Sequence, residues 1–287
     1  MAWIVTNRQQ SGFCKSVWTS VRALLPPGLP GLLGLLCAAA LCVGCADTSE
    51  DIHLVIEGRE AFANGHYILA EERFEAYLHE APQGGRRYEA WSRLLDVAQN
   101  IRDDKPKAAG ILEAMVVEYG ENPKRARELL TRLAEVYEAM GKRDKAADTW
   151  GKFIALPGLD TTAKAQTYRK LAALRQIQSQ YDLALDALEA CRRVAPNDAE
   201  QAQCLYEQGL VLGFMESYDR AEQSLRDIRT LTEAPKALRA QSEFLLADLM
   251  EQQGKTEEAI RTLESIMDDY PNRKALETRL SYLKSKE

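Results

Sequence analysis

One unit of 37 or 38 residues recurs six times along this 287-residue chain, and no other feature constrains the fold as tightly. An Ala followed four places later by a bulky apolar residue appears as Ala70/Phe74, Ala108/Leu112, Ala146/Trp150, Ala184/Leu188, Ala221/Leu225 and Ala259/Leu263. The intervals between the Ala residues are 38, 38, 38, 37 and 38. A spacing of four puts each pair on one face of a helix. A short unit of this kind cannot bury its apolar face alone, so the copies must stack on one another. Pro82, Pro196 and Pro271 stand twelve places after three of the Ala anchors. Composition agrees: the chain is rich in Ala, Leu, Glu, Lys and Arg, and only 7% of its residues are aromatic, which favours helix over sheet.

Each unit reads as two helices. In the first, Leu54, Gly58 and Ala61 share a helical face, Asn64-Gly65 breaks it, and Tyr67, Ala70, Phe74, Tyr77 and Leu78 form a second stripe. The third repeats the design with Leu130, Leu133, Ala134 and Tyr137, then Gly141, then Ala146, Trp150, Phe153 and Ile154. The sixth has Leu246, Ala247 and Met250, then Gly254, then Ala259, Leu263, Ile266 and Met267. This pattern resembles the tetratricopeptide repeat, a helical hairpin with a small residue in its first helix, Ala and a bulky apolar residue in its second, then Pro. Gly58, Ala134, Ala172, Gly209 and Ala247 fill the small position, and Asp96 departs from it. The resemblance implies an all-α, right-handed α-solenoid of about six hairpins over residues 51–271, with units starting near 51, 89, 127, 165, 202 and 240. The period exceeds the consensus of about 34 residues, and the surplus is expected in loops between units, such as 83–87 and 230–235. Residues 272–287 keep Leu276, Leu280 and Leu283 on one face, as expected of a solubilising helix that caps an open stack.

The N-terminus is of a different kind. Residues 1–46 hold three basic residues, Arg8, Lys15 and Arg22, and no acid. Residues 24–44 read LLPPGLPGLLGLLCAAALCVG, with no charge. Basic residues before an apolar run and small residues at its exit are the plan of a secretory signal. The run from 29 to 43 is shorter than the ~20 residues a spanning helix needs. Its end, Leu41-Cys42-Val43-Gly44-Cys45, resembles the bacterial lipoprotein box, with Cys42 where such boxes usually carry Leu. The resemblance implies a signal peptide over 1–44, acyl chains on Cys45 and a short tether at 45–50. Several chains hold a protein at a membrane stably where one does not. Ala46 after the Cys implies, by the enterobacterial sorting pattern, the inner leaflet of the outer membrane facing the periplasm; periplasmic anchoring at the inner membrane is the alternative.

Without residues 1–46 the body carries 34 basic and 43 acidic side chains, which argues against nucleic acid as a partner. His53, His66 and His79 stand thirteen apart, no ligand spacing on a helix face, and no metal or cofactor is expected. No phosphate-cradling Gly-rich loop before a Lys, Gly-x-Ser-x-Gly elbow or His-Glu-x-x-His is present, so the expectation is a binding protein rather than an enzyme. Past Cys45 the only cysteines are Cys191 and Cys204, placed either side of the Asn197-Asp198 turn. They can form a disulfide in an exported protein, or fill a helix interface as two small thiols.

Stacked hairpins make an extended concave surface. The tetratricopeptide resemblance implies that first-helix positions line it: Arg59, Phe62, Arg93, Asn100, Glu135, Glu138, Arg169, Gln176, Tyr206, Phe214 and Phe244. Such a mixture of charges and aromatics suits a protein or peptide partner in the cell envelope. Exported repeat lipoproteins of this kind serve outer-membrane protein assembly, pilus secretin assembly or envelope coordination. A cell-wall or small-ligand-binding accessory subunit is the alternative.

Overall fold

The computed structural model describes residues 49–286, so the signal expected over 1–44 and the lipid attachment expected at Cys45 lie outside the described residues. Among the described residues there are thirteen α-helices and no strand. Six hairpins follow one another: α1 (Ser49–Ala63) with α2 (Tyr67–Glu80), α3 (Arg87–Asp96) with α4 (Lys105–Tyr119), α5 (Pro123–Ala139) with α6 (Arg143–Ile154), α7 (Thr161–Ile177) with α8 (Tyr181–Val194), α9 (Asp198–Phe214) with α10 (Tyr218–Asp227), and α11 (Lys236–Gln252) with α12 (Thr256–Ser265). A last helix, α13 (Arg273–Lys284), covers the sixth hairpin. This is the all-α helical-repeat fold that the spacing predicts. All twelve anchors, from Ala70 and Phe74 to Ala259 and Leu263, are at most 2% exposed.

Each unit begins two to four residues ahead of its expected start. The tether expected at 45–50 is corrected accordingly, because α1 already includes Ser49 and Glu50. Asn122, Asp160 and Asn197 start α5, α7 and α9 by accepting backbone N–H bonds, for example Ala163 N to Asp160 at 2.8 Å. The surplus residues lie only partly in loops between units. Connectors 81–86, 155–160 and 228–235 are long, but those at 120–122 and 195–197 have three residues. The second helices before these short connectors, α4 and α8, run to 15 and 14 residues against 10 for α10.

The turns within hairpins repeat as faithfully as the core. Gly65, Asp103, Gly141, Ser179, Glu216 and Gly254 all have positive φ, each five residues before its unit's Ala anchor. One left-handed residue per hairpin reverses the chain in three residues. Glycine meets that demand without strain, whereas Asp103, Ser179 and Glu216 hold it with a Cβ.

Asp96 is a correction. A π turn over Val97–Ile101 adds one residue to the end of the second unit's first helix. The turn bond there runs from Asp104 N to Ala98 O at 2.7 Å, one residue wider than His66 N to Ala61 O in the first unit. The extra residue shifts the register of α3, so Leu95 and Ala98 face the core, both 0% exposed, while Asp96 lies at the surface beside Arg93 at 3.9 Å. Elsewhere the small position does what its size allows. A Cβ on Gly58 would stand 2.9 Å from the Phe74 ring, and one on Gly209 would stand 2.7 Å from Leu225 Cδ2.

First helices α7, α9 and α11 approach their neighbours directly, which no successive second helices do to that degree. Gly213 helps, since a Cβ there would meet Leu249 Cδ2 at 2.9 Å. Over units four to six the array therefore bends toward its first-helix layer, which becomes the inner face. The buried apolar residues form two main clusters that meet within α7, which gives Leu174 to the first and Ala172 to the second. Between units one and two, Lys107 of α4 binds the buried Glu71 at 2.9 Å and Glu75 at 3.1 Å. Between units three and four the corresponding residues are Ala147, Gly151 and Leu183, and they line an open cleft of about 670 Å³.

Candidate functional site

The inner face is built from α1, α3, α5, α7, α9 and α11, and its two ends are occupied by the protein's own side chains. At the N-terminal end Arg59 donates two bonds to Glu89, Nε to Oε1 at 2.6 Å and Nη2 to Oε2 at 2.5 Å. The hydrogen bond from Arg59 holds the Glu89 carboxyl below the usual carboxylate range. The Arg93 guanidinium lies 4.9 Å over the Phe62 ring, and Phe62 meets Tyr67 edge-on at 5.5 Å. Arg59, Phe62 and Arg93, expected to face a partner, thus join the first two units. The physical reason is that neighbouring units place opposite charges, and a cation and a ring, within reach of one another.

The C-terminal end is closed by α13. Arg279 binds Asp248 through Nε at 3.1 Å and Nη2 at 2.8 Å, and also binds Glu251. Burial pushes the Asp248 carboxyl up, against the pull of Arg279. Phe244 stacks on Tyr270 with ring centres 4.9 Å apart. Tyr206 is half-buried, and burial, with Tyr270 and Asp248 nearby, raises its phenol. Phe244 and Tyr206, expected as anchors for a partner, are largely spent on packing within units five and six.

The middle differs. Arg169 is neutralised by Glu207, Nε to Oε1 at 2.7 Å, across units four and five, a further expected groove residue engaged internally. Glu138 accepts the Trp150 indole N–H at 2.5 Å, so one of its oxygens is committed to its own hairpin. Glu135 is exposed on α5 and has no ion-pair or hydrogen-bond partner among the described residues. Asn100 is exposed on the π turn. Gln176 lines a cleft of about 450 Å³ between α7 and α9, together with Ala173, Leu210 and Val211. Phe214 is 70% exposed, and the Tyr181 ring lies 5.7 Å from its own. Two further exposed residues on α7 and α9 were missed by sequence reasoning, Ile177 at 61% and Leu210 at 39% exposure. A signal was present for Ile177. Ile101, Ile177 and Phe214 occupy corresponding places in units two, four and five, and all three are exposed.

His53, His66 and His79 are exposed, and no group of His, Cys, Asp or Glu among the described residues could hold a metal ion. Cys191 and Cys204 form a disulfide between α8 and α9, with Cα atoms 6.0 Å apart, buried against Ala165 of α7. No described helix is long and apolar enough to cross a membrane.

These features define a stack of helical hairpins with an open inner face. The tetratricopeptide repeat family model matches residues 128–157 and 241–273, the third and sixth hairpins, which supports a tetratricopeptide-repeat protein. No curated protein matches the sequence. Among solved structures the chain is similar to MamA, residues 41 to the end, from Desulfovibrio magneticus RS-1, at 18% identity over 64% of this chain and 95% of that one, with a TM-score of 0.46. It is similar to TTC0263, a thermophilic TPR protein in Thermus thermophilus, at 21% identity over 66% and 95%, with a TM-score of 0.39. YrrB, described as a TPR protein with an unusual peptide-binding site, is similar at 17% identity over 62% and 84%, with a TM-score of 0.43.

Proposed function

We propose that this protein is a lipid-anchored scaffold of a bacterial cell envelope that holds a protein segment against its inner face. The observation that carries the binding reading is the uncommitted middle of that face, where Ile177 of α7 and Leu210 and Phe214 of α9 are exposed while both ends are internally paired. Apolar side chains left in water on a regular surface mark contact sites. The envelope reading is supported by the apolar run ending at Gly44-Cys45, and by the Cys191–Cys204 disulfide, since such bonds persist in oxidising compartments. Ala46 after the Cys favours the outer membrane, facing the periplasm. Assembly of outer-membrane proteins or of a secretin is the kind of work such an anchored scaffold would serve.

A photo-crosslinking residue at position 177 or 214, compared with one at Val117 on the outer helix α4, tests the reading in cells. Protein adducts are expected from 177 and 214. Adducts from 117 alone would make the outer face the working surface, and a retained glycan without protein adducts would favour the small-ligand alternative. Labelled fatty acid should appear on the wild type and be lost in Cys45→Ala; an unlabelled wild type would reject the anchor.

A further inference from the structure

Cys191 and Cys204 are the only cysteines among the described residues, and their bond is sealed inside the stack. Cys191 lies in the last turn of α8 and Cys204 in the second turn of α9, and they are 0% and 1% exposed. The bond forms a small apolar cluster with Ala165 of α7, itself 0% exposed, and Tyr168, Val194 and Ala195 pack around it. Cys191 Sγ lies 3.3 Å from the Ala165 carbonyl oxygen. The cover therefore comes from α7, α8 and α9 together, and it is complete only once units four and five have stacked. Thiol–disulfide exchange needs a thiolate to reach one sulfur directly. A thiol buried among apolar groups is also poor in thiolate, and hence inert. In the stacked protein neither an oxidant nor a reductant meets these conditions.

We infer that the bond is installed before α7, α8 and α9 close on one another, by an oxidising disulfide that acts on the unstacked chain. The two cysteines are 13 residues apart, a short loop whose ends meet at small entropic cost. The connector 195–197 has three residues and sets α8 and α9 side by side, so the pair comes within reach without help from any other unit. In the step itself, one cysteine thiolate attacks a sulfur of the oxidant's disulfide and expels the oxidant's other sulfur as a thiolate. The second cysteine thiolate then attacks the mixed disulfide, closes the Cys191–Cys204 bond and releases the oxidant's first sulfur. Two electrons pass from the cysteines to the oxidant, and the two thiol protons end on its released sulfurs. The reaction class upstream of this fold is thus a dithiol oxidation by disulfide exchange. Stacking of units four and five consumes its product and shields the bond from reductants.

The test uses the full chain in detergent micelles, with alkylation at Cys191 and Cys204 read by peptide mass. Reduction of the oxidised, folded chain by dithiothreitol should run at least a hundredfold slower than reduction of oxidised glutathione, an exposed disulfide. Urea below the unfolding transition should accelerate it at least tenfold, because only local opening of the junction admits the reagent. Tyr168→Ala, which thins the cover without touching the bond, should accelerate it at least tenfold without urea; an unchanged rate would overturn the part given to α7. For the order of events, oxidised glutathione is added either during dilution of the reduced chain from urea or after its refolding under reductant. Late addition should form the bond at least tenfold more slowly than early addition. A reduced chain that regains no helix by circular dichroism would establish the same order. Wild-type reduction within tenfold of the glutathione rate, and insensitive to urea, would overturn the seal. Equal rates of bond formation after early and late addition would overturn the order.

Discussion

The six hairpin turns make a quantitative test of the repeat because they impose one backbone demand on different residues. Ser179 and Glu216 sit at φ of 59° and 56°, where Gly141 and Gly254 sit at 69° and 77°. The accompanying bonds match: Ser179 N to Gln176 O at 2.9 Å and Glu216 N to Gly213 O at 3.0 Å, against Gly141 N to Glu138 O at 2.9 Å. Ser179 and Glu216 are exposed, and their side chains make no hydrogen bond or ion pair. Ser179→Gly and Glu216→Gly therefore change little except the left-handed strain. That strain costs about 1–2 kcal/mol for a residue with a Cβ. Glycine's greater freedom in the unfolded chain offsets about 0.5–1 kcal/mol of the relief. Each substitution should stabilise the protein by roughly 0.5–1 kcal/mol. Turns in separate units share no partners, so the double variant should gain nearly the sum. The mirror experiment is Gly141→Ala. An added Cβ there meets nothing within 4 Å, so the expected loss of about 1 kcal/mol comes from backbone conformation alone. Urea unfolding followed by far-UV circular dichroism reads all four proteins, and hydrogen exchange at each turn shows whether the change stays in its own unit. Destabilisation by Ser179→Gly together with an unaffected Gly141→Ala would refute the shared turn geometry.

Other expectations follow from packing, crosslinking and charge. Ala146 is 0% exposed, so Ala146→Trp should cost ~1–3 kcal/mol by overpacking; a tolerated Trp would show the unit phase to be wrong. Replacing both Cys191 and Cys204 with Ala opens a loop whose ends are 13 residues apart, and a loss of about 3 kcal/mol is expected, read as a lower urea midpoint that no longer responds to reductant. Glu89 and Glu113 are held below the ordinary carboxylate range, mainly by hydrogen bonds from Arg59 and Tyr137. Their contribution is complete above the unfolded carboxylate pKa of 4.5 and is lost as pH falls through the lowered folded values, so stability should decline below about pH 5. Arg59→Met should weaken that decline, destabilising at pH 7 more than at pH 3; equal losses at both would argue against the pair.

The fold was legible because the repeat fixes identity and spacing together. Ala70 and Phe74 have buried counterparts in every unit, and the offset of 37 or 38 finds them all. A constant offset also hid one feature. The extra residue in the Val97–Ile101 turn leaves the unit length unchanged while shifting α3, so Asp96 took the place that Leu95 occupies. The inner face was legible as positions and less so as free surface. Whether Arg59 or Arg169 faces solvent depends on Glu89 or Glu207 in the next unit, and Phe244 is covered by Tyr270 from the loop after α12. Those neighbours meet only when the hairpins stack. Ile177 was overlooked for the opposite reason: an aliphatic residue at a helix end is ordinarily assigned to the core.

A stack of hairpins is an elastic rod, and its stiffness is set junction by junction. The first junction is clamped by Glu71 and its two cations, the fourth by the disulfide, and the far end by Arg279. The junction between units three and four has Ala147, Gly151 and Leu183 around an open cleft, and is tied by Gln178 Nε2 donating to Asp144 Oδ1 at 2.7 Å, with Arg175 3.8 Å from the same exposed carboxylate. The carboxylate of that tie is solvent-exposed, whereas the first junction's Glu71 is buried, so added salt screens the third junction's ion pair more than the first's.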